Sequence, residues 1–211
     1  ITNATGALKI ATETSGIALT NGHTTSETTI ADNLTVTGTT TLATGGTNIT
    51  GLDIDGGTDI GNGGSAADAQ HLATELLVRL RPDINRQGLP AIALSLDATT
   101  LTASGNDYGF DSHFERMVLA LGKPDDVLIS ITTSGNSKNV IRALRAAQQA
   151  GLITIGLLGG TGGPALAACD IAVVVPSAVT GRVQETHTAI VHVLMELAED
   201  LMLESGYLKK T

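Results

Sequence analysis

Short apolar runs alternate with longer amphipathic stretches from residue 61 to the end of the chain. The short runs are typical of buried strands, and the longer stretches repeat their apolar residues with helical spacing. Strands that alternate with helices build a parallel sheet with helices on both faces. We therefore predict a doubly wound α/β fold. The predicted strands span residues 90–96, 127–131, 153–158 and 171–175, and the predicted helices span residues 65–80, 111–121, 137–150 and 182–204.

The last predicted helix is the longest and carries an apolar stripe. The stripe consists of Ile190, Val193, Leu194, Leu197 and Leu201. Because this spacing follows the helical repeat, we expect these side chains to form one buried face.

Residues 1–60 differ from the rest of the chain in composition, since they hold 18 threonines, one lysine and no arginine. Thr favours strands and Gly interrupts them, so short strands are one interpretation. A disordered tail is the other, because few apolar residues are present to offset the entropy of ordering. The composition resembles the β-rich repeats of phage tail fibres and adhesins. We therefore divide the chain into this segment and a domain of residues 61–211.

The net charge of −9 restricts the expected partners. Nucleic acid is not expected, because binding its phosphates needs a Lys/Arg surface. No membrane association is expected, because no apolar run approaches the roughly 20 residues that span a bilayer. Cys169 is the only cysteine, which excludes an internal disulfide and fits the cytoplasm. Because the chain begins at Ile1, we interpret it as a fragment or a processed product.

Three loops rich in small residues follow strands or open helices in this scheme. They are residues 61–65 (GNGGS), 132–137 (TTSGNS) and 159–163 (GGTGG). Ligands of a doubly wound sheet bind beyond the carboxyl ends of the strands, where backbone N–H groups, hydroxyls and helix N-termini can hold an anion. Glycine also serves turns alone, and Ser137 can be a plain helix cap. The second loop, with four hydroxyls, is the most informative of the three.

Several ordered motifs resemble those of bacterial phosphoheptose isomerases, which belong to the sugar isomerase (SIS) domain class. The motifs are residues 61–71 (GNGGSAADAQH), 88–94 (GLPAIAL), 105–110 (GNDYGF), 132–137 and 182–187 (RVQETH). The resemblance covers residues 61–211, about seven tenths of the chain. It implies a flavodoxin-like SIS fold and the conversion of D-sedoheptulose 7-phosphate to D-glycero-D-manno-heptose 7-phosphate. This reaction serves ADP-heptose and lipopolysaccharide core synthesis.

The resemblance also implies acid/base catalysis by Glu75 and His192, and one zinc ion per subunit held by His71, Glu75, Gln184 and His192. His71 and Glu75 lie four residues apart on a predicted helix, so their side chains share a face. Taken alone, such a pair is more often a solvated contact, and His192 is more often a buried structural histidine. Ketose-to-aldose conversion moves a proton between C2 and C1, which needs a base at carbon and an acid at oxygen. Our hypothesis is that Glu75 and His192 divide these tasks.

Further residues are expected, by the same resemblance, to bind the sugar phosphate. They are Asn62, Gly63, Gly64, Ser65, Glu75, Asn106, Asp107, Thr132, Thr133, Ser134, Ser137 and Gln184. The loop of residues 132–137 is expected to hold the phosphate. Many relatives have Ser where this chain has Thr132, a change that keeps the hydroxyl and adds a methyl group.

The resemblance ends upstream of Gly61. Family members carry N-terminal helices and then an apolar strand, whereas residues 52–60 (LDIDGGTDI) are apolar only at alternate positions. A buried carboxylate in a central strand is costly, so this strand should be short, displaced or edge-like. The family's N-terminal helices help to build a homotetramer, so the tetramer that the resemblance implies is doubtful here. We interpret the region near residue 60 as a junction of two unrelated sequences.

Two other functions compete with the enzyme. A non-catalytic SIS-domain protein that binds the bacterial replication initiator has the same fold but lacks the acid/base pair, so Glu75 and His192 favour the enzyme. A structural or adhesive protein, defined by residues 1–60, would carry the isomerase portion as a passenger.

Overall fold

The structure is a computed structural model that describes residues 57–209. Of the segment of residues 1–60, only residues 57–60 are described. The short-strand and disordered-tail interpretations of this segment therefore lie outside the described residues. The strands are β1 (Gly57–Gly61), β2 (Ala91–Ala93), β3 (Val127–Thr132), β4 (Ile153–Gly159) and β5 (Ile171–Val175). The helices are α1 (Gly64–Leu77), α2 (Ala98–Tyr108), α3 (His113–Leu121), α4 (Lys138–Gln149) and α5 (Thr180–Glu204). Two 3₁₀ helices span Phe110–Ser112 and Gly163–Ala168. Among the described helices, none has the length and apolar character needed to cross a bilayer.

The five strands form one parallel sheet in the order β2-β1-β3-β4-β5. The chain moves from β1 to the edge at β2 and then returns to build outward from β3, so the direction of winding reverses between β1 and β3. Helices cover both faces, with α1 and α5 on one side and α3 and α4 on the other. This arrangement confirms the predicted doubly wound α/β fold. The loops after β1 and β3 meet at the reversal point, where such folds bind ligands.

The core consists of two apolar layers, one on each face of the sheet. Strand β3 supplies both, since Leu128 packs with Phe114 and Val118 while Ile131 packs on the other face. Each buried side chain of this size contributes about 1.5–3 kcal/mol relative to exposure. Alternate side chains of β3 therefore fix α3 and α4 on one face and α1 and α5 on the other.

Strand β1 differs from the expectation in its position. It has five residues, as many as β5 and more than β2, and it lies between β2 and β3, so the prediction of a short or edge-like strand is wrong. Asp59 sits opposite Ala93 and Ile129 of the neighbouring strands and is 0% exposed. Neither oxygen of its carboxyl group has a hydrogen-bond partner. Burial therefore raises the pKa of Asp59 well above its usual value, which means that the protonated form is favoured.

Helix α5 buries a different face from the one predicted. Its buried residues are Val183, His187, Val191, Met195 and Glu199. Val193, Leu197 and Leu201 of the predicted stripe are 55%, 54% and 65% exposed, so the prediction is wrong for them. The helix is apolar on two sides, and periodicity alone does not reveal which side meets the sheet.

Three other elements depart from the sequence-based scheme. Strand β2 covers only Ala91–Ala93, and β5 is an exposed edge strand in which Ile171 is 55% exposed. Helix α2 was not predicted, although Asp97 caps it by accepting a hydrogen bond from the backbone N–H of Thr99 at 2.9 Å. The predicted helices 137–150 and 182–204 are confirmed to within two residues at each end.

Candidate active site

The glycine loop after β1 is pressed against α5. Gly63 has a φ of +57°, and a Cβ added to Gly64 would lie 2.3 Å from Nε2 of Gln184. The positive φ favours glycine at position 63, whereas a side chain at position 64 would require the Gln184 side chain to move. The loop that opens α1 therefore lies next to Gln184, although Gly64 and Gln184 are 120 positions apart in the chain. Ser65 follows in the first turn of α1 and is buried.

Helices α1 and α5 bring three polar side chains together beside this loop. Nε2 of His71 lies 2.9 Å from Oε1 of Glu75, one turn along α1. Nε2 of His192, on α5, lies 3.4 Å from Nε2 of His71, and the two rings meet edge to face with centroids 5.0 Å apart. The His71 and Glu75 side chains are 39% and 15% exposed. A small molecule can therefore reach the group from solvent.

This group of side chains has the chemistry of a zinc site, although it is not arranged as one. Within residues 57–209 no three His, Cys, Asp or Glu side chains are placed to hold a common metal ion, and His71 bonds directly to Glu75. The distance of 3.4 Å between the two Nε2 atoms is nevertheless close to the roughly 3.3 Å expected for two imidazoles on a tetrahedral zinc with Zn–N bonds of about 2.0–2.1 Å. The two imidazoles therefore lie close enough together to fit as two ligands of one zinc ion.

The hydroxyl loop, residues 132–137, joins β3 to α4. Thr132 is buried, and its Oγ1 accepts a hydrogen bond from the backbone N–H of Gly135 at 3.2 Å. Oγ of Ser134 accepts one from the backbone N–H of Asn136 at 3.2 Å, and Ser134 is exposed. Ser137 occupies the N-cap of α4 but makes no capping hydrogen bond through its side chain. The plain-cap interpretation of Ser137 is therefore not supported, and its hydroxyl lies at the N-terminus of a helix that favours anions.

The third glycine-rich loop supports the hydroxyl loop from behind. The backbone N–H of Ala165 donates to the carbonyl of Gly135 at 3.1 Å. A Cβ added to Gly159 would lie 2.2 Å from the carbonyl oxygen of Thr133. Close packing of two backbones therefore accounts for glycine at position 159, and anion binding by this loop stays a prediction.

Asn139 was not identified from the sequence, yet it joins two loops of the site. Its Nδ2 donates to Oδ1 of Asn62 at 2.8 Å, and Nδ2 of Asn62 donates to Oδ1 of Asn139 at 2.9 Å. Asn139 is only 2% exposed. The Asn62 side chain therefore ties the glycine loop to the start of α4, which is a supporting task beside the substrate contact predicted for it. An Asn in the first turn of a helix looks like an ordinary polar residue in the sequence.

Asn106 and Asp107 lie near the end of α2. Both side chains are exposed, and Nδ2 of Asn106 donates to Oδ1 of Asp107 at 2.8 Å. Their predicted contact with the substrate stays a prediction. A cavity of about 640 Å³ lies at the opposite end of the sheet, between Leu89, Val127 and Tyr207. It therefore lies away from the carboxyl ends of the strands, and none of the His71, Glu75 and His192 side chains lines it.

Comparison with known proteins agrees with this fold. The SIS domain family matches residues 58–159. The chain is 58% identical to the phosphoheptose isomerase of Trichlorobacter lovleyi over 140 residues, which cover 66% of this chain and 70% of that protein. It is 55% identical to the phosphoheptose isomerase of Chlorobaculum parvum over 143 residues, covering 67% of this chain and 68% of that one.

Solved structures give the same result. The phosphoheptose isomerase GmhA of Neisseria gonorrhoeae superposes with a TM-score of 0.63 at 43% identity, covering 69% of this chain and 77% of that one. A phosphoheptose isomerase from Francisella tularensis superposes with a TM-score of 0.63 at 42% identity, covering 66% and 74%. The doubly wound sheet with its glycine and hydroxyl loops defines a SIS domain. Within that class, the chain belongs to the phosphoheptose isomerase family.

Proposed function

We infer that this chain is an aldose–ketose isomerase that converts D-sedoheptulose 7-phosphate to D-glycero-D-manno-heptose 7-phosphate. The observation that carries this inference is the meeting of Glu75, His71 and His192 beside the loop at the reversal point of the sheet. The relatives are phosphoheptose isomerases by name. The same proximity favours the enzyme over the non-catalytic SIS-domain alternative, because that class lacks the acid/base pair.

Glu75 and His192 are proposed to move the protons. The reaction removes a proton at one carbon and returns one at its neighbour, while the sugar oxygens exchange a proton in the opposite sense. The carboxylate of Glu75 would act as the base at carbon, with one oxygen held by His71. His192 would serve the oxygens, since an imidazole donates and accepts protons near neutral pH. The enediol intermediate is then formed and consumed within the site and is not released to solvent.

The phosphate is proposed to bind at the hydroxyl loop. Ser134 and Ser137 offer hydroxyl groups there, and α4 adds the favourable dipole of its N-terminus. The half-buried Thr133 stands between β3 and these residues. Thr132 would act indirectly, because its hydroxyl already supports the loop through Gly135. This geometry would place the phosphate end of the sugar at the reversal point and its carbonyl end toward α1 and α5.

Zinc is proposed as the cofactor. His71, Glu75, Gln184 and His192 would hold one ion, and the 3.4 Å separation of the two Nε2 atoms supports this donor set. When bound, zinc would polarise the substrate carbonyl and stabilise the negative charge of the enediolate. Gln184 supports the proposal through its position against Gly64, at the start of the helix that carries His71.

We propose a homo-oligomer as the working form, with the tetramer implied by the family resemblance as the expected state. Val193, Leu197 and Leu201 form an apolar stripe along α5 that is more than half exposed in the single chain. Contiguous apolar surface of this kind is typical of protein–protein interfaces. The cytoplasm, expected from the sequence, stays a prediction.

A direct assay tests the proposed activity. The purified chain is incubated with sedoheptulose 7-phosphate, and the aldose signals are followed by proton NMR. We expect a mixture of ketose and aldose phosphates to form at a rate proportional to the protein concentration. A rate equal to that of buffer alone, with protein that melts cooperatively, would exclude the function.

A further inference from the structure

Arg86 is a buried cation behind the proposed active site. It is 8% exposed, and it follows α1 in the loop that leads to β2. Its Nη2 donates to the carbonyl of Glu75 at 2.8 Å, and its Nη1 donates to the carbonyls of Leu76 and Gln87 at 3.0 Å each. Its Nε donates to a carboxylate oxygen of Glu199. Every nitrogen of the guanidinium group is therefore committed.

These contacts fix the end of α1. The last four carbonyls of an α-helix lack partners within the helix, and the C-terminus carries a partial negative charge. Two of these carbonyls belong to Glu75 and Leu76, and both accept hydrogen bonds from Arg86. The cation thus caps the turn that carries Glu75. A shift of Arg86 would move the backbone of Glu75 with it.

Glu199 provides the second half of the connection. It lies on α5, two turns after His192, and it is 3% exposed. Oε1 accepts the bond from Arg86, and Oε2 accepts one from Nε of Arg81 at 2.7 Å. A single buried ion pair therefore joins the backbone of Glu75 to the helix that carries His192.

A second polar link holds the same two helices on the other side of the site. Oγ1 of Thr188 donates to Oδ1 of Asp68 at 2.9 Å. Asp68 lies one turn before His71, and Thr188 lies one turn before His192. The two links bracket the histidine contact, so α1 and α5 can neither slide nor splay there without breaking a polar bond.

A buried ion pair of this kind adds little stability compared with apolar side chains of the same volume. The ion pair instead constrains geometry, because the planar guanidinium group fixes the angle and distance of each hydrogen-bond partner. We propose that Arg86 and Glu199 are positioning residues that set the distance between Glu75 and His192. This inference rests on the proposed function, since it assigns a catalytic consequence to that distance.

The test separates positioning from stability. Arg86→Met removes the partner of Oε1 of Glu199 and of the Glu75 carbonyl, so both the melting temperature and kcat should fall. The double variant Arg86→Met/Glu199→Met removes both charges, and Arg81 keeps Asp200 as a partner. We expect the double variant to regain most of the melting temperature. Its kcat should stay about 10- to 100-fold below that of the unchanged chain, with KM altered less than about threefold, because small misplacements of catalytic groups are costly.

Recovery of kcat together with the melting temperature would overturn the proposal, since stability alone would then explain the pair. If the double variant melts as low as the single one, Arg86→Lys becomes the deciding variant. Lysine keeps the positive charge and loses the forked set of guanidinium N–H donors. A wild-type kcat in Arg86→Lys would contradict the positioning role. Arg142→Met, which breaks an exposed pair with Glu115, is the matched control and should leave kcat unchanged.

The unchanged chain is assayed in the same series, so inactivity there points to the proposed function and not to the positioning role. The ring nitrogen signals of His71 and His192 give a readout that does not depend on turnover. At one fixed pH, the double variant should shift both signals, and the Arg142→Met control should shift neither. Unshifted signals in a well-folded double variant would also contradict the proposal.

Discussion

Nε2 of His192 lies 3.4 Å from Nε2 of His71, although 121 positions separate the two residues in the chain. His71 also bonds to Glu75, so one imidazole touches both residues proposed to move protons. The contact exists because α1 and α5 pack side by side on the same face of the sheet. The fold thus assembles the site from the first and last described helices.

Removal of a ligand should weaken zinc binding. Gln184→Ala is expected to lower the affinity for Zn²⁺ at least about tenfold, because a four-ligand site would lose one donor. Isothermal titration of the metal-free protein measures this affinity without any substrate. Gln87→Ala, an exposed position, is the control. Equal affinity in both variants would remove Gln184 from the proposed donor set.

Ser137→Ala should raise KM for the sugar phosphate about three- to tenfold, which corresponds to the loss of one hydrogen bond of about 0.5–1.5 kcal/mol. The melting temperature should change little, because the Ser137 side chain makes no capping bond to α4. Ser205→Ala, at the far end of α5, is the control for kinetics. A lowered melting temperature with an unchanged KM would return Ser137 to the role of a plain cap.

Asp59→Val should stabilise the protein near neutral pH by on the order of 2 kcal/mol, because a buried carboxyl group without partners is removed. Burial raises the pKa of Asp59 in the folded state above the value of about 3.9 found in unfolded chains. The contribution of Asp59 to the free energy of unfolding is therefore most favourable below that unfolded value. This stability is lost as the pH rises through the folded pKa of Asp59.

Urea unfolding of the Asp59→Val and unchanged chains between pH 4 and pH 8 measures this difference. The advantage of the variant should be smallest at acid pH and should grow toward neutrality. Asp83→Val, at an exposed position, should show no such trend. A constant difference across the range would mean that the pKa of Asp59 is the same in the folded and the unfolded chain.

Leu197→Glu should reduce the size of the assembly, because it places a charge in the exposed apolar stripe of α5. Sedimentation velocity should show a smaller species than the unchanged chain forms at the same concentration. Ala103→Glu, which adds the same charge on α2, should leave the assembly as it is. If Leu197→Glu and the unchanged chain sediment alike, the stripe is not the interface.

The sequence predicts the fold well because the spacing of apolar residues and the rules for parallel sheets apply to short stretches of the chain. The strands at Val127 and Ile153 and the helix ended by Gly151 were located from spacing alone. The buried face of α5 could not be found in this way, because both sides of the helix are apolar. Asp59 likewise gave a misleading signal, since a carboxylate argues against the interior strand position that it in fact occupies.

The site residues likewise divide into those that the sequence predicts and those that it does not. The pairing of His71 with Glu75 follows from a spacing of four on a helix, whereas the approach of His192 was expected only from the family resemblance. Arg86, Asn139 and Glu199 carried no signal, because charged and amide residues are usually solvated. Their importance comes from burial and partners, which depend on the packing of distant segments.

The central claim is that Glu75 moves the proton at carbon while His192 serves the neighbouring oxygens, and solvent exchange tests the role of Glu75 most directly. The chain is incubated with the heptose phosphate in D₂O, and deuterium entering at C1 and C2 is measured by NMR. We expect exchange in the unchanged chain and a rate about 10²- to 10⁴-fold lower in Glu75→Gln, with Glu196→Gln at the unchanged rate. Exchange in folded Glu75→Gln as fast as in the unchanged chain would contradict the account.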